Sequence, residues 1–376
     1  MRQTLNPRCQ RKVQLRDPKQ SGRSSAQRSI PKNARQRPIV GLSERVYEST
    51  KLAALFDILV EQGSPAREIL RNVNLTADEV HSPKSRISLS QLMTACENAI
   101  RLSSNPHLPY RVGSSIHVSA YGMYGFAILC CPDFRKTMTF AEQYHALAAP
   151  LADIEFSEEE GLASWIIEPN AYAAANPQVY RFITEMQVGI HISLMRDVMG
   201  PAFAPDQINL AYPRAQDFGL PAEQIGCRLN FDSRASQIIF PSSWLDHDAN
   251  LGNRTTYPAV VAACDELLSG LTSRVGAAGE IRALLIRDIA NPPTLAEIAA
   301  FLDLSDRSLR RQLREQGVSF RSLLDELRMQ IAVKYLRTTR LANEDIALAL
   351  GFSDAANFRR AFRRWTSKSP SEIRTE

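Results

Sequence analysis

Arg310 and Arg311 stand side by side in the stretch LSDRSLRRQL at 304–313, flanked by leucines. Guanidinium groups bind phosphate through charge-assisted hydrogen bonds, and they can also grip guanine O6 and N7 in bidentate fashion. Taken alone, the stretch has the pattern of an ordinary solvated amphipathic face. A second basic run, ANFRRAFRRW at 356–365, makes coincidence a poor account and points to a nucleic-acid surface. Other chemistry finds less support. His81, His107, His117, His145, His191 and His247 never fall in HExxH or a similar metal spacing, and no GxSxG, P-loop or GxGxxG occurs. Cys9, Cys96, Cys130, Cys131, Cys227 and Cys264 lack CxxC spacing. No catalytic site, metal site or cofactor is therefore expected. An enzyme, including a catalytic body fused to a DNA-binding tail, is the rival from another class, and turnover by the body would reveal it.

The arginines need elements to hold them. TLAEIAAFLDLSD at 294–306 aligns with ANEDIALALGFSD at 342–354 at a constant offset of 48, pairing Ile298 with Ile346, Ala299 with Ala347, Leu302 with Leu350, Leu304 with Phe352 and Ser305 with Ser353. Each copy predicts a short helix, a turn and a second helix. Thr294 and Glu297 form a capping box, Ile298, Ala299 and Leu302 supply a buried stripe, Leu304 plugs the turn and Ser305 caps the second helix. Leu309 and Leu313 then face inward, leaving Arg307, Ser308, Arg310, Arg311 and Arg314 for DNA. In the second copy Ser353 is expected to cap, Phe358 and Phe362 to face inward, and Asn357, Arg359, Arg360 and Arg363 to face DNA. This is the layout of a helix-turn-helix, whose second helix enters the major groove, here at about 306–316 and 354–365. Phe320, Leu323, Leu324, Leu327, Ile331 and Tyr335 recur at helical spacing between the copies. They predict one straight helix of roughly 18 residues and about 27 Å, comparable with one turn of B-DNA at about 34 Å. Both second helices could then enter successive major grooves.

The 376 residues exceed an average domain, so two folded units plus a tail are expected. Hydrophobic residues at 44% and charged residues at 23% give the balance of a globular protein. The net charge of +5 is uneven: residues 1–45 hold 12 Lys/Arg against 2 Asp/Glu, residues 294–376 hold 15 against 11, and the body between holds 18 against 27. A polyanion is attracted to the two ends and repelled by the body. Residues 1–45 lack apolar periodicity and read as a basic disordered arm, either a nonspecific phosphate-binding tail or a solubilising extension. No apolar run approaches the length of about 20 residues that crosses a bilayer, and the N-terminus lacks a secretory h-region, so a cytoplasmic protein associated with the nucleoid is expected.

The body, 46–271, mixes helices near 52–59, 90–103, 121–131, 135–148 and 178–199 with strand candidates at 207–212, 227–231 and 236–240. It also holds a hairpin in which LADIEF and LASWIIE flank a turn-rich SEEEG at 157–161. The fold class is multidomain: an α+β N-terminal sensor domain, then an all-α double helix-turn-helix. Ser64 is placed to cap a helix opened by Pro65. Helices at 257–271 and 277–289 lead to Pro292-Pro293, a natural stop, so 272–292 reads as a connecting helix or linker and 293–376 as the DNA-binding domain. His117, Tyr121 and Tyr124, with Phe126, are candidates to line an effector pocket, although aromatics at this spacing also serve ordinary cores.

IAAFLDLSDRSLRRQLREQGVSFRSLLDELRMQIAVKYL followed by IALALGFSDAANFRRAFRRWTSKSPSEIR resembles the AraC/XylS family of bacterial transcription regulators. Asp303, Ala342, Ser367 and Ile373 depart from the family's usual turn glycine, capping hydroxyl, glycine and aromatic. The resemblance implies base-reading positions at Arg307, Arg310 and Arg311, and at Ala355, Ala356, Asn357, Arg359 and Arg360, with the second unit holding more backbone because its alanines offer no hydrogen bond. YRVGSSIHVSAYGMYGFAILCCPDFRKTM and LNFDSRASQIIFPSSWLD resemble the arabinose-binding-like sensor of one subgroup. That likeness implies a regulator, normally an activator contacting RNA polymerase, whose sensor binds a small-molecule effector or a second subunit in a homodimer. The alternative is a ligand-independent DNA-binding regulator whose N-terminal domain only dimerises.

Overall fold

The computed structural model describes residues 40–170, 176–214 and 219–375. The expected basic arm lies outside the described residues as far as position 39. Within residues 40–45, which charge alone groups with the arm, Gly41 lies against the Arg282 guanidinium and Glu44 pairs with it, while Ser43 and Arg45 are exposed.

The body opens with α1 (Thr50–Glu61), whose Leu52, Leu55, Phe56, Ile58 and Leu59 are buried together with Lys51. It is followed by α2 (Ala66–Ile69), α3 (Ala77–His81), α4 (Leu89–Leu102), α5 (Leu108–Ser114), α6 (Gly122–Cys130) and α7 (Phe134–Tyr144). Thr76 with Glu79 and Ser88 with Gln91 close capping boxes on α3 and α4. Ser64 does not cap α2; Pro65 takes the cap position in extended geometry and offers no side-chain acceptor. The long α8 (Pro177–Met199) is buried over most of its circumference because it crosses α5 on one side and the sheet on the other. Gly113 and Gly189 permit that crossing, since a Cβ at Gly189 would sit 2.6 Å from the Tyr110 carbonyl oxygen and one at Gly113 would strike that of Met186.

Five strands form one sheet in the order β1-β2-β5-β3-β4: β1 (Ala152–Glu159), β2 (Leu162–Pro169), β3 (Gln207–Asn209), β4 (Arg228–Asn230) and β5 (Ser236–Pro241). All pairings are antiparallel except β3 with β4. The expected five-residue SEEEG linker shrinks to a two-residue turn. Ser157, Glu158 and Glu159 pair across the hairpin, and Glu160 and Gly161 supply the two positive φ values, 51° and 82°, that a tight hairpin turn demands. A short α9 (Ala222–Ile225) precedes β4.

α10 (Tyr257–Leu285) contains the break anticipated between two helices, at Gly276, whose φ of 58° and ψ of −148° no other residue adopts readily. Its second half is no loose linker: Ala277, Ala278, Ile281, Ala283, Leu284 and Leu285 are buried. Beyond Pro293 come α11 (Leu295–Phe301), α12 (Asp306–Glu315), α13 (Phe320–Thr338), α14 (Asn343–Ala349), α15 (Ala355–Thr366) and α16 (Pro370–Thr375). α13 buries Leu323 and Leu327 as expected, but Phe320, Leu324, Ile331 and Tyr335 are only half-buried, and Met329, Ala332, Val333 and Leu336 complete the core. A helix clasped by α10, α15 and α16 has more than one face to cover, so a single stripe underestimates its interior.

One buried ionic cluster ties these parts together. Arg282, 2% exposed, bonds Glu44 Oε1 at 2.8 Å and, through Nη2, Glu326 Oε2 on α13 at 3.1 Å. The Leu42 amide donates to the other Glu326 oxygen at 3.2 Å.

Candidate functional site

Two helix-turn-helix units are built as the repeat requires. Thr294 Oγ1 accepts from the Glu297 amide while the Glu297 carboxylate accepts from the Thr294 amide at 2.7 Å, so α11 starts with its amides satisfied. Ala342 provides no such oxygen, and on α14 only half the box survives, Asp345 Oδ2 accepting from the Ala342 amide at 3.3 Å. The turns close alike: the Leu304 amide donates to the Ala299 carbonyl and the Phe352 amide to that of Ala347. Asp303 and Gly351, 48 residues apart, both take positive φ, 54° and 75°. Ser367 ends α15 in the left-handed conformation at φ 61°. The glycine departures thus fall on backbone positions that favour glycine.

The second helix of the first unit, α12, is capped by Ser305, whose Oγ accepts from the Ser308 amide at 3.1 Å. Ser305 Oγ also donates to Ser308 Oγ at 2.9 Å, so Ser308, expected at the DNA face, is engaged in the cap. Leu309 and Leu313 are buried. Arg307, Arg310, Arg311 and Arg314 are exposed. Arg310 Nε meets Asp306 Oδ2 at 2.9 Å and Arg311 Nε meets Glu315 Oε1 at 3.7 Å. Solvent-exposed pairs of this kind are worth about 0.3–0.5 kcal/mol, little enough for a phosphate or a guanine edge to displace them. Arg307 and Arg314 have no side-chain partner among the described residues.

On α15 the expected cap moves by one residue. Asp354, not Ser353, accepts from the Asn357 amide, at 2.7 Å, and Ser353 donates to Asp354. A carboxylate is the stronger acceptor at a helix N-terminus, and it wins over the hydroxyl that the repeat alignment favours. Phe358 and Phe362 are buried. Asn357 is drawn into this cap: its amide donates to Ser353 and Asp354, and its Oδ1 accepts from Arg360 at 2.6 Å. Arg364 turns back to Asp325 on α13 at 3.1 Å. Arg363 is exposed and adds to the Ser369 hydrogen bonds that hold the Glu372 carboxyl below its usual range. Arg359 is exposed and has no side-chain partner among the described residues.

The body contains a small cavity of about 40 Å³ between α1, α6, α7, α8 and the sheet. Tyr121 and Tyr124 line it, as expected, with rings 5.9 Å apart, and burial pushes both phenols well above the ordinary range. His117 does not join them; it lies half-exposed on the surface, with Nδ1 at 2.9 Å from Asp197 Oδ1. Sequence reading missed the cavity's polar residues Lys51, Thr137, His145, Gln187 and His191. Lys51 is buried, and its Nζ donates to the Ala149 carbonyl at 3.0 Å. Burial lowers its pKa to about 8. Burial, reinforced by the Lys51 charge, holds His145 at about 3 and His191 at about 4, so both imidazoles are neutral. A signal for Lys51 was present in the period: it shares a helical stripe with Leu55 and Ile58. Among the described residues no group of three or more His, Cys, Asp or Glu could hold a metal ion, and no helix is long and apolar enough to cross a membrane.

Comparison with known proteins agrees with this architecture. Residues 63–249 match the arabinose-binding domain of AraC transcription regulator, N-term, and residues 298–376 match a helix-turn-helix domain. The chain is 30% identical over 322 residues to the ornithine utilization regulator of Pseudomonas aeruginosa, spanning 85% of this chain and 94% of that one. It is 24% identical over 273 residues to the HTH-type transcriptional regulator VqsM of the same organism, spanning 70% and 82%. The crystal structure of the transcriptional regulator CdpR, also from Pseudomonas aeruginosa, superposes with a TM-score of 0.46 at 20% identity, over 87% of this chain and 98% of that one. Fold and matches together define a transcription regulator with an N-terminal α/β sensor domain and a C-terminal helix-turn-helix DNA-binding domain. The chain belongs to the AraC family.

Proposed function

We propose that this protein is an effector-responsive, sequence-specific regulator, acting in the cytoplasm, in which α12 and α15 enter successive major grooves on one face of the duplex. The single observation that supports this reading most is the pair of exposed arginine faces on two like-built helix-turn-helix units. α13 joins them and, at 19 residues, spans about 28 Å, near one helical turn of DNA. In this reading Arg307, Arg310, Arg311 and Arg314 carry base and phosphate contacts in the first unit, and Arg359, Arg360 and Arg363 carry mainly phosphate contacts in the second. Residues 46–271 form the sensor and 293–376 the DNA-binding domain. Tyr121 and Tyr124 line the effector site. Activation through RNA polymerase and homodimerisation are part of the proposal, resting on the family. The test is selection of bound sequences from a random duplex library with the full chain, followed by competition. A recovered motif of two half-sites about one helical turn apart is expected; equal competition by scrambled duplex at low salt would overturn the reading.

A further inference from the structure

The sensor cavity holds an electrostatic imbalance. Lys51 is 2% exposed, and of the three N–H donors on its ammonium the one hydrogen bond goes to the Ala149 carbonyl. No Asp or Glu lines the cavity, and the two histidines that do are engaged through one nitrogen each, His145 Nε2 at 2.9 Å from the Ala152 oxygen and His191 Nδ1 at 2.9 Å from the Gln187 main-chain oxygen. Buried charges in proteins are paired or hydrogen-bonded throughout, so a lone ammonium against one carbonyl is an incomplete site. A second observation points the same way. The Gln187 side chain, 2% exposed, lines the cavity with its Nε2 at 3.1 Å from His191 Nδ1 and its Oε1 without a hydrogen-bond partner, an orientation that a half-turn of the amide would exchange. Because a ring N–H that donates to the main-chain oxygen asks for an acceptor in the amide as well, the amide oxygen suits the histidine and the NH2 suits the cavity. The rest of the wall is mainly apolar, with Ile128, Met138, Ile154, Trp165, Ile190 and Met195 beside Thr137 and the two tyrosines.

We infer that this cavity takes a small monocarboxylate with an apolar body, its carboxylate bonded to the Lys51 ammonium and the Gln187 amide and its body packed against Trp165 and Ile190. The inference rests on the effector-responsive reading above and names the chemical class of the effector. One ammonium and one amide match the single charge and two oxygens of a carboxylate, whereas a phosphate dianion asks for more cationic donors than the wall contains. A diamino acid such as ornithine would bring an ammonium group that finds no carboxylate there, so the effector class differs from that suggested by the relative's name.

The test uses the full chain in calorimetric titration and thermal melts. The probes are sodium carboxylates from acetate to octanoate together with benzoate and phenylacetate, each beside its primary amide, and ornithine. A carboxylate is expected to bind and raise the melting temperature. Its amide should bind at least tenfold more weakly, and Lys51→Met should lose the carboxylate to the same degree while retaining affinity for DNA. Lys51→Arg, which keeps the charge, should retain a measurable part. Silence from every carboxylate, equal binding of the amide, or unchanged carboxylate binding by Lys51→Met would overturn the assignment. Binding by ornithine or an amide with a change in DNA affinity would overturn it while leaving effector control intact. Carboxylate binding through Lys51 that alters neither DNA affinity nor transcription would uphold the site and refute effector control.

Discussion

The Glu44–Arg282–Glu326 cluster makes a quantitative prediction. Arg282 is 2% exposed, while Glu44 and Glu326 are 9% and 14% exposed, so all three side chains lie where water screens poorly. Truncation in Arg282→Ala leaves two carboxylates facing each other across the vacated space, and Glu44 already has one oxygen without a hydrogen-bond partner. Removing one member of a buried ionic set costs about 3–5 kcal/mol, because the partner charges stay buried and uncompensated. At a urea dependence of about 2 kcal/mol per M, the unfolding transition of the DNA-binding domain should move down by roughly 2 M. The assay is urea unfolding followed by circular dichroism, with each transition fitted separately because a multidomain chain need not unfold in one step. The triple variant Arg282→Met, Glu44→Gln, Glu326→Gln removes the charges together and should recover most of the loss. A loss below about 1 kcal/mol for Arg282→Ala, or no recovery in the triple variant, would show that the cluster is not electrostatically coupled.

Lys51 gives a pH-dependent prediction. Its pKa falls from 10.5 to about 8 on folding, so between these values the unfolded chain holds the proton more fully than the native one. Stability should therefore rise with pH across about 8 to 10.5, with the full penalty, up to about 3 kcal/mol, present below pH 8. The difference in melting temperature between wild type and Lys51→Met, measured from pH 7 to pH 10, should grow in favour of wild type; a flat difference would refute it. On α12, Arg311→Ala should weaken specific DNA binding by about 1–3 kcal/mol and relax preference at one base position, read by competition with single-position variants. Uniform weakening on all sequences would make Arg311 a phosphate contact. Gly189→Ala should destabilise the body by about 1–3 kcal/mol through its collision with the Tyr110 carbonyl. Gly270→Ala, which meets open space within α10, should stabilise by up to about 1 kcal/mol in the same unfolding experiment.

Much of the DNA-binding domain is legible before folding because its determinants are local. Helical period, capping hydroxyls and carboxylates, a proline stop and an exact spacing between two copies are properties of neighbouring residues, and they located the second helix of both helix-turn-helix units. The one-residue error at Ser353 arose where two adjacent capping side chains competed, and the similarity between copies favoured the weaker acceptor. The cavity was half legible. Tyr121 and Tyr124 stand on one short segment and could be grouped by proximity, but His117, in that same segment, points to Asp197, 80 residues away.

The sequence alone determined which residues become helices, where the duplicated units begin and which arginines they leave outside, since backbone hydrogen bonding and the burial of apolar stripes act over a few residues. Tertiary structure decided which polar groups share a dielectric. It brought Lys51 beside His145 and His191, removed water from all three, and set Arg282 between carboxylates from positions 44 and 326. Desolvation and charge pairing depend on distance through space, which no spacing along the chain encodes.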